Sequence, residues 1–528
     1  MAKLISATHL ARSILRQLLE LGVSDFVLSP GSRNAPLSVA LFEAAEAGFA
    51  DLHVRIDERG AAFFALGISK VSQQYVAVIC TSGTAAANYH PAILEARHSN
   101  IKLLIITADR PERLRNTGAN QTTNQVGLYP HIPSYDICEL VDVAKLLTDG
   151  PIHFNIQFDE PLLPEENVNW LAGFTPTSVQ SKSLLKPSAS FDKNGVIVVG
   201  HDRGGFSVSE VTAFSEELGW PIVAEDPISF PTAIAHASVF LADPDIRALL
   251  HPESVIVFGR TTLSRSINAY VLGSHKQIVI DPRIQDVDHL RQADQIFFDI
   301  PHVDSAIAPS EEWISLWYRV SAQANEGLVR SFQWSEQEAV RTITSNLESG
   351  SALFVGSSRP IRDIEGFAEP RDGLHVYGNR GLAGIDGNTS TALGIASKFE
   401  RSYALLGDLT FLHDISALVN LPEVNLTIFV IDNNGGGIFS TLAQQGTKGF
   451  ETIFGTPHNH NIEKIASGFG LPVERVKNSS DLKRIIAHRA NGILVVIVEV
   501  PDRETNAMQI KLLYQSVSSA VRMGNNLD

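Results

Sequence analysis

The sequence has few of the residues that several classes of protein require. Among its 528 residues are two cysteines, Cys80 and Cys138, which are too few for a disulfide framework or a cysteine-bound metal and are typical of a reducing compartment. No uninterrupted apolar run reaches the ~18 residues of a membrane-spanning helix, and the first residues lack the basic and apolar regions of a secretory signal. These features predict a soluble cytoplasmic protein with no membrane insertion.

Basic charge is also scarce. Lysine and arginine total 42 against 58 aspartates and glutamates, so the formal net charge is -16. Nucleic acids and anionic membranes bind to basic surfaces, so the composition argues against both as partners. The chain is 44% apolar and contains 38 glycines, which is typical of a globular α/β protein. At ~150 residues per domain, we expect about three domains.

Two apolar segments in the C-terminal third end abruptly at polar residues. The segment 403–406 is followed by Gly407 and Asp408, and the segment 426–431 is followed by Asp432, Asn433 and further small residues. Buried parallel strands end in this way at the carboxyl edge of a sheet, where ligands of α/β proteins bind. The intervening chain is long enough for one crossover, so Asp408 and Asn433 are expected at neighbouring strand ends.

Asp408 and Asn433 offer the oxygen ligands that Mg2+ prefers, and the carbonyl group of Gly435 is a third candidate. Such a site would hold a magnesium diphosphate. The glycines at 435–437 would let the backbone approach the anion, and a helix beginning after them would direct its N–H groups toward it. Either segment alone is more typical of an ordinary turn than of a ligand site, because Gly, Asp and Asn are common turn formers.

The alternation of apolar strand, small or polar turn and helix recurs in three blocks of the sequence. This pattern predicts an α/β fold of three doubly wound parallel-sheet domains. We expect the domains at 1–180, 190–330 and 335–528, with a polar linker at about 165–190. The central block lacks the Gly-x-Gly-x-x-Gly pattern after Val199, which argues against a dinucleotide site there.

The Gly-Asp and Asn-Asn segments together resemble the signature of thiamine-diphosphate enzymes, although Leu409 stands where most of that superfamily has glycine. The three blocks match its pyrimidine-binding, central and diphosphate-binding domains. The resemblance implies thiamine diphosphate and Mg2+ (or Mn2+) as cofactors, and a homodimer or homotetramer with active sites between subunits. Asp408, Asn433 and Gly435 are the implied metal ligands. The implied cofactor-binding residues are Glu58, Thr81, Gly83, Ser358, Ile385, Gly407, Asp408, Leu409, Asn433, Gly435, Gly436 and Ile438.

Glu58 falls where this superfamily has its activating glutamate, which shares a proton with N1′ of the aminopyrimidine ring. It follows an apolar segment and precedes a helix of small residues, so we expect it to be buried, and a buried carboxyl group needs a partner. Ile385 is the candidate for the apolar side chain beneath the cofactor.

Seven strings in order resemble most closely the family that decarboxylates 2-oxoglutarate and adds the succinyl carbanion equivalent to isochorismate in menaquinone biosynthesis. They occupy 29–34, 57–60, 81–85, 107–111, 118–121, 379–387 and 433–440. This resemblance implies a transferase of the transketolase/carboligase type. Three substrate carboxylates remain after carbon dioxide leaves, and guanidinium groups bind carboxylates in bidentate fashion. The implied catalytic residues are Glu58, Ser32, Arg33, Arg110, Gln121, Arg265, Ser358, Arg362, Arg380, Ile438 and Phe439.

Two alternatives remain at this stage. The first is another thiamine-diphosphate enzyme, either a simple 2-oxoacid decarboxylase or an acetolactate-synthase-like carboligase, but the number of loop arginines favours more anionic substrates. Ser264 stands where related enzymes often carry lysine, and Arg265 is expected in the loop after the strand at 255–258. The second alternative is a nucleotide-binding protein without catalysis. The presence of Glu58 together with Asp408 and Asn433 argues against it.

Overall fold

The structure is a computed structural model that describes residues 5–164, 168–175, 186–200, 202–283, 288, 292–306 and 308–527. The chain divides into two compact units. Unit 1 comprises the described residues of 1–183 together with 381–400 and 413–424, and unit 2 comprises those of 184–380, 401–412 and 425–528. Parts of the expected linker, 165–167 and 176–185, lie outside the described residues, and the boundaries of the three domains stay a prediction.

The helices begin mostly after strand ends and loops rich in Gly, Ser, Asp and Asn, which are residues that favour helix caps. Ser6, for example, accepts a hydrogen bond from the His9 amide at the start of the first helix. The α-helices are α1 Ala7–Glu20, α2 Ala35–Glu46, α3 Glu58–Ser72, α4 Thr84–Asn88, α5 His90–Ser99, α6 Val208–Leu218, α7 Ala237–Phe240, α8 Pro244–Leu249, α9 Arg265–Leu272, α10 Glu311–Ser331, α11 Glu336–Asn346, α12 Arg359–Phe367, α13 Asn388–Ala396, α14 Asp408–His413, α15 Ile462–Gly468, α16 Ser479–Ala487 and α17 Arg503–Asn525.

The strands are short, and most are rich in Val, Ile, Leu and Phe, as is usual for parallel strands buried on both faces. They are β1 Asp25–Leu28, β2 Asp51–Val54, β3 Val76–Cys80, β4 Leu103–Asp109, β5 Ser134–Ile137, β6 Ile152–Gln157, β7 Ser188–Phe191, β8 Gly195–Val199, β9 Ile222–Ala224, β10 Ser254–Phe258, β11 Lys276–Ile280, β12 Gln295–Phe297, β13 His302–Ala306, β14 Ala352–Val355, β15 His375–Tyr377, β16 Ser402–Gly407, β17 Leu426–Asp432, β18 Val473–Val476 and β19 Ile493–Glu499.

The strands form three parallel sheets, which confirms the predicted fold class. Unit 1 contains the order β2-β1-β3-β4-β6-β5. Unit 2 contains the orders β12-β11-β10-β8-β9 and β15-β14-β16-β17-β19-β18, and β13 pairs with β7 beside them. The strand order reverses between β1 and β3, between β10 and β8, and between β14 and β16, and the two six-stranded sheets reverse again between β4 and β6 and between β17 and β19. Ligands of doubly wound sheets bind at the carboxyl ends of the strands beside such a reversal.

Two helices of unit 1 pack with their backbones almost in contact. A Cβ atom added to Gly67 of α3 would lie 2.2 Å from the carbonyl oxygen of Thr391, and one added to Gly394 of α13 would lie 2.1 Å from that of Phe64. No side chain larger than hydrogen fits at either position. This contact explains why α3 is rich in small residues, and it fixes the start of α3, where Glu58 lies.

In the described ranges, no helix is long and apolar enough to cross a bilayer.

Candidate active site

Three loops of unit 1 bring predicted substrate-binding residues together after β1, β3 and β4. Arg110 donates to the Ser82 hydroxyl at 2.6 Å and to the Gln121 carbonyl at 2.7 Å. Arg33 lies 3.4 Å from the Glu160 carboxylate. Burial and the neighbouring charge of Arg33 lower the pKa of Arg110. Two guanidinium groups close enough to repel each other form a local positive field that would attract a carboxylate.

The turn after β3 is held from behind by a buried amide. The Gly83 N–H donates to Gln125 Oε1 at 2.8 Å, and Gln125 Nε2 donates to Asn155 Oδ1 at 2.9 Å. Gln125 is fully buried, so this network fixes the turn that carries Thr81 and Gly83. No sequence pattern indicates the role of Gln125, because its partners Gly83 and Asn155 lie far from it along the chain.

The remaining predicted residue of the first loop, Ser32, is exposed. A Cβ atom added to Gly31 would lie 2.3 Å from Thr81 Cβ, so the loop after β1 packs directly against the turn after β3. The structure therefore brings Ser32 and Thr81 into neighbouring loops.

Glu58 is the first residue of α3, and Asp57 caps this helix by accepting from the Arg59 amide. The Glu58 carboxylate accepts from Asn88 Nδ2 at 3.1 Å. Within the chain it is half-buried, rather than buried as expected. The reason is that β2, which precedes it, is an edge strand whose residues are all at least partly exposed.

The glycine-rich loop that carries Ile385 is anchored by one buried carboxylate. Glu95 Oε1 accepts from the Gly381 amide at 2.8 Å, and Glu95 Oε2 accepts from the Leu382 amide, also at 2.8 Å. Glu95 is 3% exposed, and Ile385 is half-buried. A charge-assisted pair of hydrogen bonds of this kind holds the loop in one conformation.

In unit 2, Asp408 and Asn433 lie at the carboxyl ends of the adjacent parallel strands β16 and β17, whose residues Gly407 and Ile431 are paired. Asp408 begins α14, and its Oδ1 atom accepts from the Leu409 amide at 2.6 Å. Its Oδ2 atom accepts from the Gly435 amide at 2.8 Å. The loop after β17 therefore folds onto the end of β16, as expected from the spacing of the two segments.

The donor set of this loop fits a magnesium ion. Asn433 Oδ1 is buried and has no hydrogen-bond partner within the described parts of the chain, and a buried amide oxygen in this state suits a cation. Gly435 has a φ of 139°, which only glycine adopts readily. Together with the Asp408 carboxylate and the Gly435 carbonyl, the Asn433 oxygen provides the hard ligands that Mg2+ requires.

Two residues near Asp408, Asp432 and His458, were not among the predicted site residues. One ligand atom each from Asp408, Asp432 and His458 lie within 4.8 Å of one another, and His458 Nε2 is 3.3 Å from Asp408 Oδ2. The hydrogen bond to Asp408 raises the pKa of His458, while burial raises the pKa of Asp432. Asp432 could have been predicted, because it directly precedes Asn433 at the end of the same strand. His458 could not, because it lies on a loop far along the chain.

The glycines at 435–437 are followed by a short 3₁₀ helix, Gly437–Thr441, and not by the expected α-helix. The Gly436 amide donates to the Gly455 carbonyl at 2.8 Å, so this amide is already paired. Ile438 and Phe439 are half-buried, and the Phe439 ring packs on Phe454 with 5.4 Å between the ring centroids.

A cavity of about 870 Å³ in unit 2 contains three of the predicted residues: Arg265, Arg362 and Ile438. Lys511 of α17 also lines it. Arg265 is the first residue of α9, not part of a loop as expected, and its side chain is exposed. The volume is within the usual range for pockets that bind small molecules, and the lining carries several positive charges.

Ser358 and Arg362 meet at the start of α12. Arg362 donates to the Ser358 carbonyl at 2.6 Å. Ser358 has a φ of 76°, a strained conformation for a residue other than glycine, and strain of this kind is concentrated at functional sites. Burial and the charges of Arg359 and Arg380 lower the pKa of Arg362, because positive groups are crowded there.

Arg380, a predicted substrate-binding residue, is only partly paired within the described residues, where its Nη1 atom is buried and has no hydrogen-bond partner. Its guanidinium group forms an ion pair with Glu225, and both side chains are almost fully buried. Burial and the charge of Glu225 raise the pKa of the neighbouring Glu365, which favours its protonated form. Arg380 therefore compensates the buried charge of Glu225, and its role in substrate binding stays a prediction.

Three family models match successive parts of the chain. The N-terminal TPP binding domain of thiamine pyrophosphate enzymes matches residues 8–128, the middle domain of thiamine pyrophosphate matches 165–355, and the C-terminal TPP binding domain of these enzymes matches 363–500. Together with the three parallel sheets, these matches define a thiamine pyrophosphate enzyme.

Relatives that match nearly the whole chain identify the family within this class of enzymes. The chain is 37% identical to the 2-succinyl-5-enolpyruvyl-6-hydroxy-3-cyclohexene-1-carboxylate synthase of Thermobifida fusca, over 98% of this chain and 100% of the relative. It is 38% identical to the synthase of the same name from a Nocardioides species, over 93% and 94%, and 34% identical to that of Bacillus cytotoxicus, over 95% of each. The chain belongs to this family of synthases.

Proposed function

We propose that the protein decarboxylates 2-oxoglutarate and adds the remaining succinyl unit to isochorismate in a 1,4 sense. The products are carbon dioxide and 2-succinyl-5-enolpyruvyl-6-hydroxy-3-cyclohexene-1-carboxylate, an intermediate of menaquinone biosynthesis. The observation that carries this proposal is the cavity of about 870 Å³, whose lining has four basic side chains, Arg265, Arg359, Arg362 and Lys511, against two acidic ones, Glu365 and Glu504. A small apolar acyl group would need at most one such cation, whereas three carboxylates remain on the proposed substrates after decarboxylation.

Asp408, Asn433 and the Gly435 carbonyl would hold Mg2+ (or Mn2+) against the diphosphate of the cofactor. The unpartnered oxygen of Asn433 supports this assignment. Thiamine diphosphate, when bound, supplies the nucleophilic carbon and the electron sink for decarboxylation and carbon–carbon bond formation. Gly407, Leu409 and Gly436 would shape the loops around the diphosphate.

Glu58 would hold a proton at N1′ of the aminopyrimidine. A carboxyl group exchanges a proton efficiently with a ring nitrogen only where water is excluded, since in water it simply ionises. The half-buried position of Glu58 in the single chain supports a homodimer or homotetramer in which a second subunit covers it. Ile385, Thr81 and Gly83 would contact the same cofactor.

The substrate carboxylates would be held by the arginine-bearing loops. Arg33 and Arg110, with Ser32 and Gln121, form one cationic group, and Arg362 with Ser358 forms another. Bidentate contacts would keep the anion aligned while carbon dioxide leaves. Ile438 and Phe439 would exclude water. The low cysteine content supports a cytoplasmic location.

The test is an assay of the purified protein with thiamine diphosphate, Mg2+ and 2-oxoglutarate, with and without isochorismate. Mass spectrometry should detect the succinylated cyclohexene product only when both substrates are present. Formation of acetolactate from pyruvate would assign the protein to a different thiamine-diphosphate activity. So would decarboxylation of 2-oxoglutarate without any addition to isochorismate.

Arg33→Ala should raise the KM for 2-oxoglutarate by at least about tenfold, since a charge-assisted hydrogen bond contributes ~1.5–3 kcal/mol, with cofactor affinity unchanged. Arg113→Ala is the matched control, because Arg113 is exposed and pairs with Asp159 at the surface. An equal loss of cofactor binding in Arg33→Ala would contradict its assignment to substrate.

A further inference from the structure

The two ends of the Asn433 amide have different surroundings. Its Nδ2 atom donates to Glu336 Oε1 at 2.6 Å, while its Oδ1 atom is buried and has no hydrogen-bond partner in the ranges that the structure describes. An amide oxygen can bind a cation, whereas an amide NH2 group cannot. The orientation of this amide therefore decides whether Asn433 can be a metal ligand.

Glu336 is itself held firmly. It is the first residue of α11, is 2% exposed, and its amide donates to Asn506 Oδ1 at 3.0 Å. Its second oxygen, Oε2, lies 3.7 Å from Arg359 Nε. One carboxylate oxygen therefore faces Asn433 and the other faces a guanidinium group. A carboxylate can only accept hydrogen bonds, so it pairs with the NH2 end of the amide and repels the oxygen end.

The backbone at Gly437 also packs closely against the hydrogen bond between Glu336 and Asn433. A Cβ atom added to Gly437 would lie 2.4 Å from Asn433 Nδ2 and 3.4 Å from Glu336 Oε1. The pair is thus confined on one side by backbone, which leaves little room for the amide to tilt away from the carboxylate.

We propose that Glu336 is a positioning residue of the magnesium–diphosphate site, which fixes the Asn433 amide so that its oxygen is available to the metal ion. This inference rests on the proposed function, because it requires that Asn433 binds the cation. Residues that orient metal ligands commonly change metal affinity by 10–100-fold when they are replaced. Glu336 does not contact the ion itself.

Glu336→Gln tests the inference with a side chain of the same shape. The oxygen of the new glutamine is expected to face Arg359, which can only donate, so its NH2 group faces Asn433. The Asn433 amide must then rotate and present its own NH2 group to the cation. The affinity for Mg2+ at saturating thiamine diphosphate should fall at least about tenfold. Calorimetric titration of Mg2+ into the metal-free protein, in the presence of saturating thiamine diphosphate at pH 8, measures it.

Glu338→Gln is the matched control, since it makes the same chemical change on the same helix, where Glu338 accepts from the Ser479 hydroxyl at 3.1 Å. Its Mg2+ affinity should equal that of the wild type. Circular dichroism of each unliganded variant checks that the fold is retained.

A rescue separates orientation from a merely structural role. A carboxylate presents oxygen at both ends, so Asn433→Asp combined with Glu336→Gln should bind Mg2+ within about threefold of the wild type. Asn433→Asp alone places two carboxylates together and should bind weakly. If the single variant Asn433→Asp binds as tightly as the double variant, the inference is wrong, whether or not Glu336→Gln folds.

The remaining outcomes distinguish the two proposals. Wild-type protein that binds Mg2+ together with unchanged affinity in Glu336→Gln would overturn this inference and leave the proposed function intact. Wild-type protein that binds no Mg2+ in the presence of thiamine diphosphate would overturn both, because the metal site itself would then be absent.

Discussion

Arg380 and Glu225 illustrate how single residues acquire their roles from distant partners. The arginine side chain is 6% exposed and the glutamate side chain 3%, so the two charges compensate each other largely out of contact with water. A buried charge that loses its partner is strongly unfavourable, since neither water nor another ion replaces it. Substitution of Arg380 is therefore expected to change the stability of the fold as well as any binding of substrate.

Arg380→Ala should lower the free energy of unfolding by about 3–5 kcal/mol, the usual effect of breaking a buried ion pair. Urea denaturation followed by circular dichroism measures this loss. Arg265→Ala, which removes an exposed arginine from the cavity wall, should change stability by less than about 0.5 kcal/mol.

Glu225→Gln in the Arg380→Ala background should recover part of the loss, because the buried negative charge that has lost its arginine is then removed. If the urea denaturation midpoint of Arg380→Ala equals that of the wild type and only the KM is raised, Arg380 acts mainly in substrate binding.

Residue types and their spacing indicated where the polar groups of the site would lie, but not how they pair. Asp408 and Asn433 could be predicted as neighbours because each ends an apolar strand and one crossover separates them. Glu336 could not be assigned to Asn433, since a pairing between a helix start and a remote strand end leaves no periodic trace. The same is true of Gln125 behind Gly83 and of His458 beside Asp408.

Among the secondary-structure elements, the central strands were the most predictable. Their continuous Val, Ile and Leu runs have the length of strands and end at Gly, Asp or other turn residues, which favours buried strands over helices. The edge strands β5 and β18 were missed, because partial exposure gives them mixed polar sequences such as Ser-Tyr-Asp-Ile and Val-Glu-Arg-Val. Arg265 was placed in a loop, whereas the Ser264 hydroxyl accepts from the Ile267 amide and begins α9 at Arg265.

The contact between α3 and α13 gives a prediction at this scale. Gly67→Ala should destabilise the protein by about 1–3 kcal/mol, because the added methyl group would overlap the Thr391 carbonyl and force the two helices apart. Differential scanning calorimetry of the unliganded protein measures the loss as a lower melting temperature.

Gly468→Ala is the corresponding control, since Gly468 lies in α15 and an added Cβ atom there meets nothing within 4 Å. It should be neutral or stabilising by up to about 1 kcal/mol, the difference in helix propensity between glycine and alanine. Equal effects of the two substitutions would show that α3 and α13 can separate without loss.

For the whole molecule, the proposed assembly predicts that inactive subunits can complement each other. Glu58→Gln and Asp408→Asn should each abolish turnover. If Glu58 of one subunit acts with Asp408 of another, a mixed dimer of the two variants contains one intact site. Random mixing after reversible dissociation should then restore about one quarter of the wild-type activity, as the symmetry of a dimer requires.

Activity assays on mixtures, with subunit exchange monitored by native mass spectrometry, make this measurement. Exchange without any recovery of activity would show that both residues act within one chain. Exchange of two copies of the same variant is the control, and it should remain inactive.

The α13 segment also bears on how the protein is made. Unit 1 begins with the earliest residues of the chain, yet residues 381–400, which include α13, belong to it as well. During synthesis, α3 therefore cannot pack on α13 until most of the polypeptide has left the ribosome. Until then, the small-residue surface of α3 lacks the helix that covers it in the folded unit.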